Sequence, residues 1–204
     1  LGDVYKRQLS DRPDRFIGLH FFYHPAKNRL VEIIPSSRTS SETIQSVIQY
    51  CGAMGKVVIL CKDRPGFVVN RFFVPWLNEA CKLLDEGFGT PAEIDNVAKD
   101  CFDIGMGPFE LMNLTGPSIA LHSTDYLASQ LQVDRYKGAD SLRRLVEEGI
   151  QWDLAGVSGE FSSKDRKEIR NRLLGVVLCI ASQIVEEEIC AMEDVDRGAK
   201  VGLR

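Results

Sequence analysis

The sequence predicts an α/β segment followed by a mainly α-helical, internally duplicated region. Three observations carry that prediction. Short, almost wholly apolar runs occupy the first third of the chain, and helical periodicity takes over after Asp63-Arg64-Pro65-Gly66. Residues 70–103 also align without a gap onto residues 171–204. At 204 residues the chain is long enough to bury a core. Its net charge of −4 leaves no basic footprint for nucleic acid. The longest apolar stretch, Leu173 to Ile180, is far short of the ~18–20 residues that span a bilayer.

The elements follow in order. Phe16-Ile17-Gly18-Leu19-His20-Phe21-Phe22 has the continuous apolar character of a buried strand. Leu30-Val31-Glu32-Ile33-Ile34 is a second strand, ended by Pro35, which cannot donate to a ladder. Thr39-Ser40-Ser41-Glu42 reads as a capping box opening a helix with Ile44, Val47, Ile48 and Cys51 on one face. Gly52 or Gly55 ends that helix, and Val57-Val58-Ile59-Leu60-Cys61 is the next strand. Beyond the turn at 63–66, Phe72, Phe73, Trp76, Leu77, Ala80, Leu83 and Leu84 form a broad helical stripe. Pro75 is tolerable there if the helix begins near Asn70 or Arg71. Thr90-Pro91-Ala92-Glu93 opens another helix with a cap, a first-turn proline and a reciprocating glutamate. Residues 104–117, broken by glycine and proline, read as a packed turn feeding further helix, and residues 135–165 as a charged linker with a short helix.

The repeat has an offset of 101. It pairs Asn70 with Asn171, Arg71 with Arg172, Leu77 with Leu178, Ala80 with Ala181, Asp95 with Asp196 and Lys99 with Lys200. Register held through two successive helices points to duplication.

The two ends read differently from the rest. Asp3-Val4-Tyr5-Lys6-Arg7-Gln8 is what a transposon-end sequencing adapter encodes when translated, so residues 1–8 are expected to be non-native. The sequence stops at Arg204 directly after a helical pattern. A piece of a longer protein is the expectation.

Chemistry is sparse. His20 ends an apolar strand, and Glu32 lies in the adjacent one, twelve residues on. If the two strands fold back on each other, imidazole and carboxylate can meet and make a general base. On spacing alone Glu32 could equally be a solvated strand residue. Asn70 precedes the long helix, where a helix N-cap is the simplest role. His24 and His122 have no such partners. Gly87-Phe88-Gly89-Thr90-Pro91-Ala92 matches a dinucleotide fingerprint in form, but a helix, not a strand, precedes it. No metal-ligand spacing is present. The six cysteines form no C-x-x-C pair and sit mostly in apolar runs, which suits a reduced, cytoplasmic setting.

The segments 15–22 and 30–34 together resemble the end of the NAD-binding domain of 3-hydroxyacyl-CoA dehydrogenases. Asp63-Arg64-Pro65-Gly66-Phe67-Val68-Val69-Asn70-Arg71, Pro75-Trp76-Leu77-Asn78-Glu79-Ala80 and Met106-Gly107-Pro108-Phe109-Glu110-Leu111 resemble the helical domain that follows it. The match covers about residues 12–120, in the right order. Residues 171–204 resemble the second, degenerate helical copy of multifunctional fatty-acid oxidation enzymes. His20-Phe21-Phe22-Tyr23-His24-Pro25 is similar to prokaryotic fusions with an enoyl-CoA hydratase.

The resemblance implies the following organisation: the end of a Rossmann-type NAD-binding domain at 9–64, a helical domain at 65–134, a linker at 135–165 and a truncated second helical copy at 166–204. It implies NAD-dependent oxidation of (S)-3-hydroxyacyl-CoA, with His20 as base, Glu32 as its partner and Asn70 holding substrate. The cofactor would be NAD and the partner an acyl-CoA substrate, with a homodimer through the helical domain and a fused enoyl-CoA hydratase. Tyr23-His24 stands where most relatives have Asn-Pro, so no cofactor contact falls to Tyr23. The competing class is a non-catalytic helical packing or dimerisation module. Another hydroxy acid as substrate is a third reading.

Overall fold

The computed structural model describes residues 11–156 and 161–202; residues 1–8, the expected adapter remnant, lie outside them. The chain divides into two compact units, residues 1–69 with 183–204, and residues 70–182.

The first unit is built on a three-stranded sheet in the order β1 (Ile17–Phe21), β2 (Leu30–Pro35), β3 (Val57–Leu60). β1 and β2 are antiparallel, whereas β2 and β3 are parallel and joined by α1 (Ser41–Ala53). The apolar run read from the sequence makes sense in this position. β2 is central and its residues Leu30 to Ile34 are all buried, so both faces need hydrophobic or paired side chains. Val31 and Ile33 face α1, packing with Cys51, Val47 and Ile48. Leu30, Glu32 and Ile34 alternate onto the other face.

The cap of α1 is Ser40, whose side chain accepts from the Thr43 N–H, rather than Thr39 with Glu42. Thr39 is drawn away because its hydroxyl donates to the Phe16 carbonyl and accepts from the Ser36 N–H. That tertiary tie moves the helix start by one residue.

The second unit is helical, formed from most of α2 (Val69–Asp85), α3 (Pro91–Phe102), α4 (Pro108–Thr115), α5 (Pro117–Leu131), α6 (Asp140–Glu148) and the greater part of α7 (Ser163–Glu186). Trp76, Leu83, Ile94, Phe109, Met112, Leu142 and Leu173 share one core. α2 starts earlier than the sequence suggests. Pro75 therefore lies in its interior, where it offers no N–H to the carbonyl one turn back. The helix continues through it because Trp76, Leu77 and Ala80 are buried on the core side. Within 104–117, expected as a packed turn leading into further helix, Pro108 already begins α4, while Pro117 begins α5, the helix that follows; both prolines stand where an N–H group would have no helical acceptor.

Residues 135–165, expected as a linker, also contribute to this core. Leu142 and Leu145 of α6 and Trp152 are buried in it. Three side chains of the core helices fix the stretch: Asn78 binds the Lys137 carbonyl and the Ala139 N–H, Asp85 accepts from the Ser141 N–H, and Asn113 binds both backbone groups of Trp152. The apolar stripe of α6 is only about two turns long and flanked by Arg143, Arg144, Glu147 and Glu148, which disguises it in sequence.

Asp95 plays a similar part for α4. It accepts from the Phe109 and Glu110 N–H groups at 2.8 and 2.9 Å. A Cβ at Gly107 would lie 2.3 Å from its carboxyl carbon, so only glycine fits there. Burial pushes the Asp95 carboxyl up to about 6, against the pull of its two backbone donors.

The repeat is reproduced in its helix boundaries and in the hydrogen bonds of the turn between its helices. α2 and α7 end at Asp85 and Glu186, and α3 and α8 (Met192–Gly202) begin at Pro91 and Met192, each pair 101 apart. In the first turn, Gly87 N–H donates to Leu84 O and Phe88 N–H to Leu83 O; in the second, Glu188 donates to Val185 and Ile189 to Ile184. Gly87 has φ +76° and Glu188 has φ +51°. The second copy thus keeps a left-handed turn with a residue that has a Cβ. All six cysteines are free thiols, and no helix among the described residues is long and apolar enough to cross a membrane.

Two measurements check this account. Gly87→Ala should lower unfolding free energy by about 1 kcal/mol, while Glu188→Gly should leave it unchanged or raise it by up to ~0.5 kcal/mol, in urea titrations. The Asp95 carboxyl holds its proton to higher pH when folded than when unfolded. Its contribution is therefore full below the ordinary carboxylate range and lost as pH rises through about 6. The stability of the wild type relative to Asp95→Asn should accordingly fall between about pH 4 and about pH 7.

Candidate active site

His20 and Glu32 are directly opposite each other in the antiparallel pairing of β1 with β2. Residues so paired place their side chains on one face of the sheet, about 5 Å apart at Cβ. Strand register thus brings the two groups together without any special loop. The His20 Nδ1 and Glu32 Oε2 atoms are 2.6 Å apart. The Glu32 side chain is fully buried, and that of His20 is 28% exposed. The alternative of a solvated Glu32 is therefore set aside.

The second oxygen of Glu32 is also occupied. Oε1 accepts from the backbone N–H groups of Val68 and Val69, at 3.1 and 2.9 Å. These are the N-terminal donors of α2, which no carbonyl within the helix can satisfy. Gly66 (φ +78°) and Phe67 (φ +46°) are both left-handed, and this reversal aims the two N–H groups at the carboxylate. A positive φ at phenylalanine is strained. Its ring packs 5.5 Å from the imidazole, and Phe22 stands edge-on at 4.7 Å, so the aromatic contacts help to hold the turn.

The arrangement sets the chemistry of the imidazole. With Glu32 accepting at Nδ1, the hydrogen belongs on Nδ1 and the lone pair on Nε2. The ring is held by the carboxylate on one side and by two aromatic rings on others. Its partly exposed edge can take a proton from a hydroxyl group.

Asn70 is the second residue of α2 and half-buried, so it is not the helix N-cap expected from sequence. The capping function has passed to Glu32, thirty-six residues before Val68. Of the remaining histidines, His24 is exposed and its Nδ1 accepts from the Ala26 N–H, while His122 is exposed on α5. Sequence reasoning missed Phe22, Phe67 and the two valine amides as parts of the site. The run Asp63-Arg64-Pro65-Gly66 signalled a turn, but nothing in the sequence shows where amide hydrogens will point.

The fingerprint-like Gly87–Ala92 is not a phosphate cradle. Gly87 follows the end of α2, and the N-terminus of α3 is closed by a capping box in which Thr90 accepts from the Glu93 N–H and Glu93 from the Thr90 N–H. Among the described residues no group of three or more histidine, cysteine or acidic side chains is arranged to hold a metal.

Residues 7–64 match the family of 3-hydroxyacyl-CoA dehydrogenase, NAD binding domain, and residues 66–152 match 3-hydroxyacyl-CoA dehydrogenase, C-terminal domain. The chain belongs to the 3-hydroxyacyl-CoA dehydrogenase family. It is 44% identical over 107 residues to the mitochondrial hydroxyacyl-coenzyme A dehydrogenase of Mus musculus, covering 52% of this chain and 34% of that one. It is 34% identical over 162 residues to the fatty acid oxidation complex subunit alpha of Vibrio campbellii, covering 79% of this chain and 22% of that one. The crystal structure of 3-hydroxybutyryl-CoA dehydrogenase from Escherichia coli superposes with a TM-score of 0.84 over 98% of this chain and 63% of that one. At 18% identity this last likeness concerns the fold alone. The chain thus spans about a third of the length of its mitochondrial relative.

Removing the carboxylate should expose its double role. Glu32→Ala leaves two buried N–H groups without an acceptor and should cost about 2–4 kcal/mol in chemical denaturation. Val68 and Val69 should lose their protection from amide exchange at the same time.

Proposed function

We propose that this chain carries the proton-accepting half of an NAD-dependent oxidation of (S)-3-hydroxyacyl-CoA to 3-oxoacyl-CoA. The observation that carries the reading is the His20–Glu32 contact of 2.6 Å, which commits Nδ1 and leaves Nε2 as the acceptor. His20 takes the proton of the 3-hydroxyl group as its C–O bond becomes a carbonyl. Glu32 stabilises the imidazolium that forms and keeps the ring from turning. Because Glu32 is anchored by two backbone donors, it cannot swing toward solvent when the charge on the ring changes. The chemistry that bound NAD would supply is that of an acceptor for the C3 hydride. The described residues supply no dinucleotide cradle of their own, and no step is assigned to them there. Asn70, which follows Val69 directly in α2, is the residue we assign to holding the substrate beside the imidazole. Further assignments are a dimer through the helical region and a fused enoyl-CoA hydratase, the latter on the likeness to a fatty acid oxidation complex subunit.

The test is made in a protein joining this chain to a complete NAD-binding domain. His20→Ala should lower kcat for 3-hydroxybutyryl-CoA oxidation by ~10²–10⁴ while leaving the affinity for NAD nearly unchanged. Turnover that survives within about tenfold would remove His20 as the base.

A further inference from the structure

The second copy of the helical pair meets the sheet on the face that carries the base. Leu30 and Glu32 share that face of β2, and Ile59 is the register partner of Glu32 on β3. Among the residues of the second copy that reach this region are Ile189, Gly198 and Gly202. The Ile189 carbonyl accepts from the Lys62 N–H at 2.8 Å, just beyond β3. Gly198 lies where a Cβ would come within 2.9 Å of Val69 Cγ2 and 3.0 Å of Ile59 Cδ1. Gly202 lies where a Cβ would come within 2.6 Å of Leu30 Cδ2, and its carbonyl accepts from Asn28 Nδ2 at 3.0 Å.

The two copies differ at these glycines. The residues at the same places in the first copy are Val97 and Cys101, and Val97 is buried among helices. One turn apart on α8, the second copy has glycine at two places where it lies against the sheet. A glycine inside a helix costs about 1 kcal/mol relative to alanine, and at Gly198, in the interior of α8, the missing side chain permits a close approach. That approach is made against Val69, whose N–H binds Glu32, and against Ile59, the neighbour of Glu32 across the strands.

We propose that α8 is a positioning element for the Glu32–His20 pair, acting through Gly198 on the Val68–Val69 turn. It touches neither reacting atom. By closing on Val69 and Ile59 it holds the two N–H groups against Glu32 Oε1, and so fixes the direction in which Oε2 meets the imidazole. The proposal rests on the reading of His20 and Glu32 as a base and its partner. It gives the second copy a role at the base.

The test uses the whole 204-residue chain, labelled with ¹⁵N at histidine and at the backbone. Two readouts are followed, the nitrogen shifts of the His20 ring, which report its tautomer, and amide exchange at Val68 and Val69. Gly198→Val should speed exchange at both amides at least about tenfold and reduce the Nδ1–H tautomer. Gly198→Ala should do the same to a lesser degree, and decides the matter if the valine variant does not fold. Leu142→Ala, a core truncation in the other unit, controls for lost stability and should leave the ring tautomer as in the wild type. A folded Gly198 variant that keeps wild-type protection and tautomer overturns the proposal. Glu32→Gln separates the two claims. If it changes the tautomer while Gly198 variants do not, α8 has no positioning role; if it too changes nothing, the base–partner reading fails first.

Discussion

A carboxylate taken out of water has to find its hydrogen bonds inside the protein, and Glu32 finds them in three directions. One oxygen meets the imidazole of a neighbouring strand and the other meets two amides at the start of a helix. Lose any one partner and a buried charge is left short. The strand pairing, the turn before α2 and the ring orientation are therefore constrained together. A site built this way is rigid because its central group is also a structural one.

The same device recurs through the helical unit. Asp95 closes the start of α4, and Asp85 that of α6, each from a distant part of the chain. Helix ends present unsatisfied N–H groups, and a side chain from another element can serve them as well as a local cap does. What distinguishes Glu32 is that its remaining oxygen is turned toward an imidazole that is itself partly exposed to solvent. That difference converts a packing device into a candidate for proton transfer.

The duplication shows how one pattern of helices adapts to two surroundings. Both copies keep the turn of Gly87 and Glu188, with matching hydrogen bonds. They differ where they meet their neighbours. In the first copy Thr90 and Glu93 close the N-terminus of the second helix, whereas Ala191 stands at the aligned cap position in the second copy. Glycine replaces valine and cysteine where α8 lies against strands. Turn geometry is local and survives divergence; contact surfaces change with the partner.

The sequence by itself determined the order of elements as far as α3, the boundary near Gly66, the repeat and its offset, and the candidacy of His20 and Glu32. Each of these is encoded by short-range pattern: apolar runs, periodicity, turn residues and spacing. Tertiary structure decided the rest. It moved the cap of α1 to Ser40 through the bond from Thr39 to Phe16, placed α6 in the core through Asn78 and Asp85, and gave the N-terminus of α2 to Glu32 instead of Asn70. These outcomes depend on where amides and carboxylates from remote segments come to lie. A pattern read along one strand or one helix holds no information about the partner that will satisfy it, and burial is what makes that partner obligatory.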